Sequence, residues 1–480
     1  MKRIIAYIII FLFANLSQST LANTADKTVI IINVNDIHSQ IDNFGRLKSL
    51  ADSLEKENPN VLIFAAGDYF SGNPIVDFYD PKGLPMIELM NKTGFDLVCF
   101  GNHEFDYGQK SLQFLRLRSN FPYISSNIIV SDTNTSLKAI KGQYTFNIDG
   151  LTLSVIGAIQ VNSNGMPASS PDKLNGIKFE EPFSAISKEL GKVEGKPNAL
   201  IALTHLGYES DSVLATKYPK FNLIIGGHTH TLLLEPKHIN GVTITQTNGN
   251  LKYAGIIKMH FTNDSLTGIT DEMFDLARIK PSPEIQTLID AYNDDPVLNT
   301  KIAHTKKAIT KPYELGLLIC DALKSKYKTD FALQNYGGMR VDKIDTGAIR
   351  TKDILSLLPF GNTVTVINIT VGELKGILKK AWESEEMSPS IISGGKAEIQ
   401  LQNGNILNIK IKDKSGSELK DNRKISLALN DYAANVYAAD LKGKKTEYKV
   451  KVSDILSEYL KKNKKLNYSG KKSVFIFEKD

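Results

Sequence analysis

Cysteine is scarce in this chain, and long hydrophobic runs are nearly absent. Two of the 480 residues are cysteine. Cys99 and Cys320 each stand in an apolar segment, and we expect these segments to lie in different domains, so both are predicted to be small core residues rather than disulfide partners. The one marked hydrophobic run, residues 4–16, is about a dozen residues long, which is too short to cross a bilayer. These features argue against a disulfide-stapled scaffold and against an integral membrane protein.

The first 22 residues have the pattern of a cleaved secretory signal. A basic start at Lys2 and Arg3 precedes the apolar run, and small residues close the segment at 20–22. Asn23, rather than a cysteine, follows the predicted cleavage point, so we expect no lipid attachment and no stable membrane anchor. The sequence therefore predicts an exported protein, either periplasmic or secreted.

Positive charge is in small excess. The formal net charge is +6, and the charged content of 23% and hydrophobic content of 42% are ordinary for a soluble globular protein. The chain also has no basic stripe interleaved with aromatic residues. Both observations argue against a nucleic-acid polymer as the partner, and therefore against a nuclease.

Five short apolar runs in the first half of the chain each stop near a residue that can bind a metal. Such runs, rich in β-branched residues and closed by Gly or Asn, predict buried strands. The ends of neighbouring strands gather at one edge of a layered α/β sheet, so we expect the side chains that follow them to meet there. The runs and their following residues are 29–34 with Asp36 and His38, 61–66 with Asp68, 97–100 with Asn102 and His103, 199–203 with His205, and 223–225 with His228 and His230.

This set predicts a metal centre with too many ligands for a single ion. The predicted ligands of a first divalent ion are Asp36, His38 and His230, and those of a second are His205 and His228. Carboxylates and neutral imidazoles suit Zn, Mn or Fe. Asp68 is predicted to bridge the two ions because its carboxylate has two oxygens, and Asn102 is predicted to add a neutral amide oxygen. Two ions about 3.5–4 Å apart can clamp a phosphoryl group during in-line displacement.

His103 and Asp106 are predicted to act on the substrate rather than on a metal. They are three residues apart, within reach across one turn. A carboxylate fixes the tautomer of an imidazole and raises its basicity. Such a histidine can stabilise developing charge or protonate a leaving alkoxide. The alternative, a histidine that only supports the metal ligands, remains open from the sequence.

The order of strand-like and helical stretches along the chain predicts its domains. Residues 27–275 alternate strand-like runs with amphipathic helical stretches such as Phe44–Glu57 and residues 111–119, so a metal-binding domain is expected over 23–275. Residues 276–310 hold prolines and one predicted helix at 283–292, which is typical of an interdomain linker. Residues 311–480 predict an α+β domain that begins with a helix at Tyr313–Tyr327.

The motifs Asp36-x-His38, Gly67-Asp68, Gly101-Asn102-His103-Glu104, His205 and Gly227-His228-Thr229-His230 resemble those of the calcineurin-like metallophosphoesterases. With the second domain, the resemblance extends to the secreted 5'-nucleotidase family over essentially the whole mature chain. It implies an α/β fold, in which a four-layer β-sandwich flanked by helices is followed by an α+β substrate domain. It also implies two divalent metal ions and a small-molecule nucleotide as the substrate.

Three segments of the second domain carry that resemblance further. Asn335-Tyr336-Gly337-Gly338-Met339-Arg340 resembles the family's substrate loop, Leu358-Pro359-Phe360-Gly361-Asn362 resembles a second signature, and Asn430-Asp431-Tyr432 resembles a third. The resemblance implies that Asn335 and Arg340 bind substrate, with Arg340 gripping the phosphate. It also implies that a base lies between Phe360 and Tyr432, with its edge on Asn362. Stacking contacts of this kind contribute about 1–3 kcal/mol per base.

The chain departs from the family pattern at two places. The family usually carries Gly-Gly-Asp-Gly after the second aromatic residue, with an Asp that binds ribose, where this chain has residues 435–440 ending at Asp440. The family also tends to place an Arg before the first helix of the second domain, where this chain has Tyr313. Both changes weaken the expected grip on a nucleoside monophosphate and leave the predicted metal centre intact.

The sequence therefore predicts metal-dependent hydrolysis of phosphate monoesters, first of all nucleoside 5'-monophosphates, by a hydroxide held between two ions. The alternatives on the same centre are 2',3'-cyclic nucleotides, nucleotide sugars and sulfur esters. A non-enzymatic nucleotide- or metal-binding protein is disfavoured because no predicted ligand is lost.

Overall fold

The computed structural model describes residues 26–130, 135–384, 387–441, 445–463 and 466–479. The predicted signal segment, residues 1–22, lies outside the described residues. The chain forms two units, each with its own hydrophobic core.

The first unit alternates strands with helices. Its strands are β1 Asp26–Val34, β2 Val61–Ala66, β3 Leu97–Cys99, β4 Tyr123–Ile124, β5 Ile128–Val130, β6 Gln143–Ile148, β7 Leu151–Ile159, β8 Ile177–Phe179, β9 Ala199–His205, β10 Leu223–Ile225, β11 Lys237–Ile239, β12 Val242–Thr245, β13 Tyr253–Thr262 and β14 Ser265–Asp275. Its helices are α1 Phe44–Glu57, α2 Pro74–Asp77, α3 Leu84–Thr93, α4 Gln109–Arg116, α5 Pro182–Leu190, α6 Tyr208–Lys217 and α7 Pro283–Asn293.

Two six-stranded sheets form the centre of this unit. One has the order β14-β13-β1-β2-β3-β4 and the other the order β11-β12-β10-β9-β7-β6. An apolar layer that includes Ile31, Phe64 and Ile201 lies between them. Helices α1, α3 and α7 cover the first sheet and α5 and α6 the second, which confirms the predicted four-layer sandwich. The central strands read as continuous apolar runs because both of their faces are buried.

The central strands are parallel, and this brings their carboxyl ends together. β1, β2, β3 and β4 pair in parallel in one sheet, and β7, β9, β10 and β12 do so in the other. The residue after each of these ends therefore lies at one edge of the sandwich. The five apolar runs of the sequence are β1, β2, β3, β9 and β10, as predicted.

The second unit is an α+β domain, as predicted. Its strands are β15 Lys301–Thr305, β16 Ile309–Thr310, β17 Phe331–Gln334, β18 Lys343–Ile344, β19 Gly347–Arg350, β20 Thr363–Thr370, β21 Ile391–Ser393, β22 Lys396–Gln402, β23 Asn405–Lys412, β24 Lys424–Asn430, β25 Lys445–Lys451 and β26 Val474–Glu478. Its helices are α8 Tyr313–Tyr327, α9 Thr351–Leu357, α10 Val371–Ser384, α11 Asp431–Val436 and α12 Val452–Lys462. The main sheet has the order β21-β17-β24-β20-β25.

The helix predicted between the domains is present as α7, and it belongs to the first unit. Ile285 and Ile289 on α7 are buried in the same core as α1. Strand β15 pairs with β19 of the second unit. The connection between the two units therefore lies between α7 and β15, and Leu298 in this segment is still buried in the core of the first unit. An amphipathic helix buries its apolar face against a hydrophobic core, and α7 packs against the core of the first unit.

The remaining predictions about the fold concern the cysteines and the membrane. Cys99 and Cys320 are both free and buried, in β3 and α8 respectively. Within the described residues, no helix is long and apolar enough to span a bilayer.

Candidate active site

The residues predicted to bind metal lie at the joined strand ends, on a distorted backbone. Five of them have positive φ angles: Asp36 at 50°, His38 at 49°, Asp68 at 52°, His228 at 85° and His230 at 52°. Such conformations are costly for residues other than glycine, and they persist where the surrounding structure enforces them, often at functional sites. The backbone at this edge is therefore shaped by its surroundings and not by local preference.

Three overlapping groups of side chains could hold metal ions at this edge. They are Asp36 with His38 and His230, Asp68 with His205 and His228, and His38 with Asp68 and His103. Within each group the candidate ligand atoms lie within 4.8 Å of one another. The first two groups match the two predicted ligand sets, and Asp68 and His38 each belong to two groups. This overlap is the arrangement expected for two neighbouring ions.

Short distances between ligand atoms show how closely the groups converge. The Nε2 atoms of His38 and His230 are 3.0 Å apart, and His230 Nε2 is 3.4 Å from Asp36 Oδ1. His205 Nε2 is 3.1 Å from Asp68 Oδ2. The imidazoles and carboxylates all direct their polar atoms to one place. This arrangement suits a divalent cation better than it suits a network of hydrogen bonds among the side chains alone.

The protonation of the histidines also suits metal binding. Burial and the Arg340 guanidinium hold the pKa of His38 well below its usual range. Burial and the neighbouring His205 lower the pKa of His228 to about 4. Burial lowers the pKa of His205 too, but the Asp68 and Asp36 carboxylates outweigh it and raise this pKa to about 10. The lowered pKa values of His38 and His228 favour the neutral imidazole that binds a metal, and a cation bound at His205 would displace the proton that the two carboxylates favour there.

Asn102 offers an oxygen that nothing in the described structure satisfies. Its Nδ2 donates to the carbonyl oxygen of Ala168 at 3.2 Å, which fixes the orientation of the amide. Its Oδ1 is buried and has no hydrogen-bond partner among the described residues. A buried acceptor without a partner is costly, so this oxygen fits the role of a neutral metal ligand.

His103 and Asp106 form the pair predicted from their spacing. His103 Nδ1 lies 2.7 Å from Asp106 Oδ2, and the backbone N–H of His103 donates to Asp68 Oδ1 at 2.8 Å. Burial lowers the pKa of His103, but the Asp68 and Asp106 carboxylates outweigh it, so this pKa is raised. The Asp106 contact directs the opposite nitrogen, Nε2, to within 3.9 Å of Asp68 Oδ2. His103 can therefore hold a proton beside the metal groups.

Two side chains of the second unit reach this site. Nη2 of Arg340 lies 3.1 Å from Nε2 of His38. The ring of Phe360 stacks on the His103 ring with centroids 5.7 Å apart and planes 9° apart. The Arg340 guanidinium also lies 5.7 Å from the centre of the Phe360 ring. A cation and an aromatic ring from one unit thus lie directly on the metal-binding edge of the other.

The other residues predicted to bind substrate lie behind these two. Asn335 is buried, and its Oδ1 accepts a hydrogen bond from Asn430 Nδ2 at 2.7 Å. Asn362 and Phe360 line one cleft. Tyr432 is 39% exposed at the start of α11. In this arrangement the His103 ring covers one face of Phe360.

Comparison with known proteins agrees with this architecture. The model of the calcineurin-like phosphoesterase family matches residues 30–232, and the model of the 5'-nucleotidase C-terminal domain matches residues 297–437. The chain belongs to the 5'-nucleotidase family of metallophosphoesterases. As a member of this family it is a hydrolase of phosphoric esters.

Named relatives differ in how much of their length this chain covers. A 5'-nucleotidase of Vibrio cholerae is 28% identical over 423 residues, covering 73% of this chain and 75% of that protein. A 5'-nucleotidase of Vibrio vulnificus is 25% identical and is covered over 93% of both chains. The trifunctional nucleotide phosphoesterase protein YfkN of Bacillus subtilis is 28% identical over 82% of this chain, which spans only 30% of that longer protein.

Solved structures show the same fold. A 5'-nucleotidase precursor from Thermus thermophilus superposes with a TM-score of 0.85 at 22% identity, over 95% of this chain and 100% of that one. A sulfate thiohydrolase, SoxB, superposes with a TM-score of 0.78 at 15% identity, over 94% and 97% of the two chains. At these identities the likeness establishes the shared fold alone.

Two residues of this family member support the site in ways that the sequence alone did not indicate. Glu104 is fully buried and accepts hydrogen bonds from the backbone N–H groups of Asp68 at 2.9 Å and Tyr69 at 3.0 Å. It therefore fixes the loop that presents Asp68. Its signal was its place directly after Asn102-His103. Asn430 caps α11 by accepting from the N–H of Ala433 at 2.7 Å, and it joins that helix to Asn335.

The two departures from the family pattern have other contacts. Asp440 forms an exposed ion pair with Lys380 on α10, at 2.6 Å. Tyr313 begins α8, and the Lys472 ammonium lies 4.7 Å from its ring centre. These contacts give neither residue the role of the ribose-binding Asp or the extra Arg of the family pattern.

Proposed function

We propose that the protein hydrolyses nucleoside 5'-monophosphates to nucleoside and phosphate, using two divalent ions such as Zn or Mn. The observation that carries this proposal is the convergence of Arg340 and Phe360 from the second unit onto His38 and His103 of the first. A phosphate beside an aromatic ring system is the substrate that such a pair would recognise.

The donor set fits the two ions. Asp36, His38 and His230 would hold one, His205 and His228 the other, with Asp68 shared and the unpartnered oxygen of Asn102 added. When bound, the ions supply positive charge to the phosphoryl oxygens and activate water for attack on phosphorus.

Arg340 binds the phosphate. Its guanidinium cannot be deprotonated and presents several N–H donors in a plane, which suits a phosphoryl group. It stands next to His38, so a phosphate held by Arg340 would lie at the metal-binding edge. Because its backbone N–H donates to the carbonyl of Leu357 at 3.1 Å, the loop that carries it is fixed to α9.

His103 gives a proton to the departing ribose oxygen. Asp106 holds the proton on Nδ1, so Nε2 is the nitrogen that faces the site. The raised pKa of His103 keeps the imidazole protonated at a higher pH than an isolated histidine, as a general acid requires. Asp106 acts as the positioning group for this transfer.

The nucleoside would occupy the second unit. Its base would lie against the face of Phe360 that is turned away from His103, with Tyr432 on the far side and Asn362 at the edge, while Asn335 shapes the loop from behind. We also infer that residues 1–22 direct export, so that the mature enzyme degrades nucleotides outside the cytoplasm.

A second substrate class follows from the altered segment at 435–440. Asp440 is paired with Lys380, and no family-type Gly-Gly-Asp-Gly is present to bind ribose hydroxyls. A weaker grip on the ribose favours substrates recognised mainly through phosphate and base. Cyclic 2',3'-nucleotides and nucleotide sugars are therefore the alternatives to test, and sulfur esters follow them.

The test measures phosphate release by the mature protein from 5'-AMP, 3'-AMP, 2',3'-cyclic AMP and a nucleotide sugar. For the diester substrates, product nucleotide is measured as well. Each assay is run after chelation and again after Mn or Zn is restored. The proposal expects metal-dependent release that is fastest on 5'-AMP. Faster turnover of another substrate would transfer the assignment to that class, and turnover that survives complete chelation would overturn it.

The matched variant is Phe360→Ala, assayed on 5'-AMP and on a small aryl phosphate without a base. Losing a stacking contact of about 1–3 kcal/mol lowers kcat/KM on 5'-AMP by about 5- to 150-fold. The aryl phosphate should change far less. Equal losses on both substrates would contradict the predicted role of Phe360 in base binding.

A further inference from the structure

Two short loops of the first unit carry three of the predicted metal ligands. The loop after β1, residues 36–40, carries Asp36 and His38, and the loop after β2, residues 67–72, carries Asp68. The backbone N–H of His38 donates to the Asp68 carbonyl at 2.9 Å, so the loops run side by side. The relative position of these ligands therefore depends on what holds the two loops together.

Both loops are strained beyond the ligands themselves. Ser39 has a φ of 59° and Ser71 a φ of 64°, which are costly angles for serine. Gly72 follows with a φ of 148°, and a Cβ at this position would lie 2.6 Å from the carbonyl oxygen of His38. A backbone bent in this way needs specific partners to keep it in place.

A buried carboxylate supplies those partners. Asp77, at the end of α2, accepts hydrogen bonds from the hydroxyl of Ser39 at 3.0 Å and the N–H of Gly72 at 2.9 Å. One donor comes from each loop. The hydroxyl of Tyr107 donates to the same carboxylate and also accepts from the N–H of Ser71 at 3.3 Å. Asp77 and Tyr107 thus join the two loops from behind.

The hydrogen bonds that join the two loops extend to the ring of His38. The carbonyl oxygen of Ser71 lies 3.1 Å from Nδ1 of His38, on the side of the ring opposite to Nε2. A hydrogen bond from Nδ1–H to this carbonyl fixes the tautomer that leaves Nε2 free to bind a cation. The position of Ser71, and with it the orientation of His38, depends on Tyr107 and Asp77.

We propose that Asp77 and Tyr107 are positioning residues that set the affinity of the ion bound by Asp36, His38 and His230. They do so by holding the Ser39 and Ser71 segments, and through Ser71 the His38 ring. The inference rests on the proposed function only in taking His38 as a metal ligand. Neither residue is among those predicted to bind substrate.

The experiment measures metal binding, not turnover. The full mature protein is stripped with a chelator, and Mn or Zn is titrated back by calorimetry for the wild type, Asp77→Asn and Tyr107→Phe. Removing a group that orients a metal ligand costs about 10–100-fold in affinity. We expect one of the two ions to weaken by this factor in both variants while the other ion keeps its affinity.

Two controls identify the effect. His230→Ala removes a ligand of the first ion, so the binding event lost in that variant is the one that should weaken. Asp96→Asn alters another carboxylate, which accepts the Ile63 N–H at 2.8 Å at the start of β3, away from both loops. Burial raises the pKa of both Asp77 and Asp96 to about 6, so Asp→Asn makes the same chemical change to a carboxyl group of similar pKa. Asp96→Asn should leave both ions unchanged.

Wild-type affinity for both ions in Tyr107→Phe and Asp77→Asn would overturn the proposal, as would equal weakening of both ions. Tyr107→Phe removes only a hydroxyl, so it tests the inference even if Asp77→Asn does not fold.

Since Asp77 and Tyr107 share a hydrogen bond, the affinity lost in the double variant should be less than the product of the two single losses. A wild type that binds two ions but hydrolyses no phosphoester would contradict the proposed function alone. A wild type that binds no divalent ion would overturn both.

Discussion

The metal-binding edge and the substrate loops differ in how the fold holds them. The candidate ligands follow the ends of parallel strands that are buried on both faces, and most of these side chains are themselves buried. Arg340, Phe360 and Asn362 stand instead on connecting loops of the second unit and are only partly buried. A rigid edge suits ligands that must keep a fixed geometry, and loops allow the partner surface to vary between relatives.

This difference also explains where the chain departs from its family. The ligand motifs at the strand ends are complete, while the altered residues, Tyr313 and 435–440, all lie in the second unit. The proposed function thus places chemistry in the first unit and substrate choice largely in the second. Substitutions in each unit test that separation.

The largest effect is expected from the shared carboxylate. Asp68→Ala removes a group that lies 3.1 Å from His205 and also orients the His103 backbone, so both ion positions lose a partner. Since metal charge is worth several kcal/mol in the transition state, turnover should fall by about 10³-fold or more on every substrate. Metal content and kcat measured together check this. An active variant with two bound ions would contradict the shared role of Asp68.

The next effect separates chemistry from metal binding. His103→Ala should lower kcat by about 10²–10⁴-fold while leaving the metal content intact, because the proposed function gives His103 the transfer of a proton and assigns both ions to other side chains. Metal analysis of the purified variant beside its kcat makes the measurement. Unchanged turnover would remove His103 from the chemistry.

The His103 pair also predicts a shift with pH. The Asp106 carboxylate helps to raise the pKa of His103, so Asp106→Asn should lower that pKa. A general acid must be protonated, and activity is lost as the pH rises through its pKa. The alkaline limb of the kcat profile should therefore move to lower pH in Asp106→Asn. A limb that stays in place would show that another group controls it.

A smaller effect is expected on the substrate side. Arg340→Ala removes the proposed charge-assisted hydrogen bonds to the substrate phosphate. Their loss costs about 1.5–3 kcal/mol, which lowers kcat/KM by about 10- to 150-fold. Arg340→Lys keeps the charge but loses the planar donors, so it should recover only part of the loss. Both ions should still bind in both variants. Loss of metal in Arg340→Ala would mean that the second unit supports the metal edge as well.

The smallest effect is expected at Asp440. Its ion pair with Lys380 is exposed, and exposed pairs of this kind add little to stability. Asp440→Ala should therefore leave the melting temperature and the kcat/KM on 5'-AMP unchanged. A clear rise in KM would instead show that Asp440 takes the place of the family's ribose-binding Asp.

The strands and helices were predictable wherever a segment's environment is uniform along its length. α1 spans the predicted range because Leu47, Leu50, Ala51 and Leu54 place one apolar face on the core. α4 ends at Arg116, earlier than predicted, and the next residue, Leu117, is 75% exposed to solvent instead of packed on the core. A single apolar residue at helical spacing does not show whether a core lies beside it.

The candidate ligands were predictable for a similar reason. When a buried strand is followed by Asp, Asn or His, the sequence shows both where the strand ends and which ligand type follows it. The structure brings the Asp and His side chains predicted in this way together at one edge. Asp77 and Tyr107 gave no such signal, and Glu104 and Asn430 were marked only by their places in the motifs 101–104 and 430–432. Their partners are backbone groups or distant side chains, and sequence spacing does not encode those contacts.

The sequence by itself determined the two units, the strand ends and the types of side chain that follow them, because periodicity and burial act locally along the chain. Only the tertiary structure decided that Arg340 meets His38 and that Phe360 stacks on His103, since residues 302 and 257 positions apart are brought together by the packing of two separate cores. It also decided the strained angles at Asp36, His38 and Asp68. Those angles run against local preference, and the surrounding hydrogen bonds enforce them.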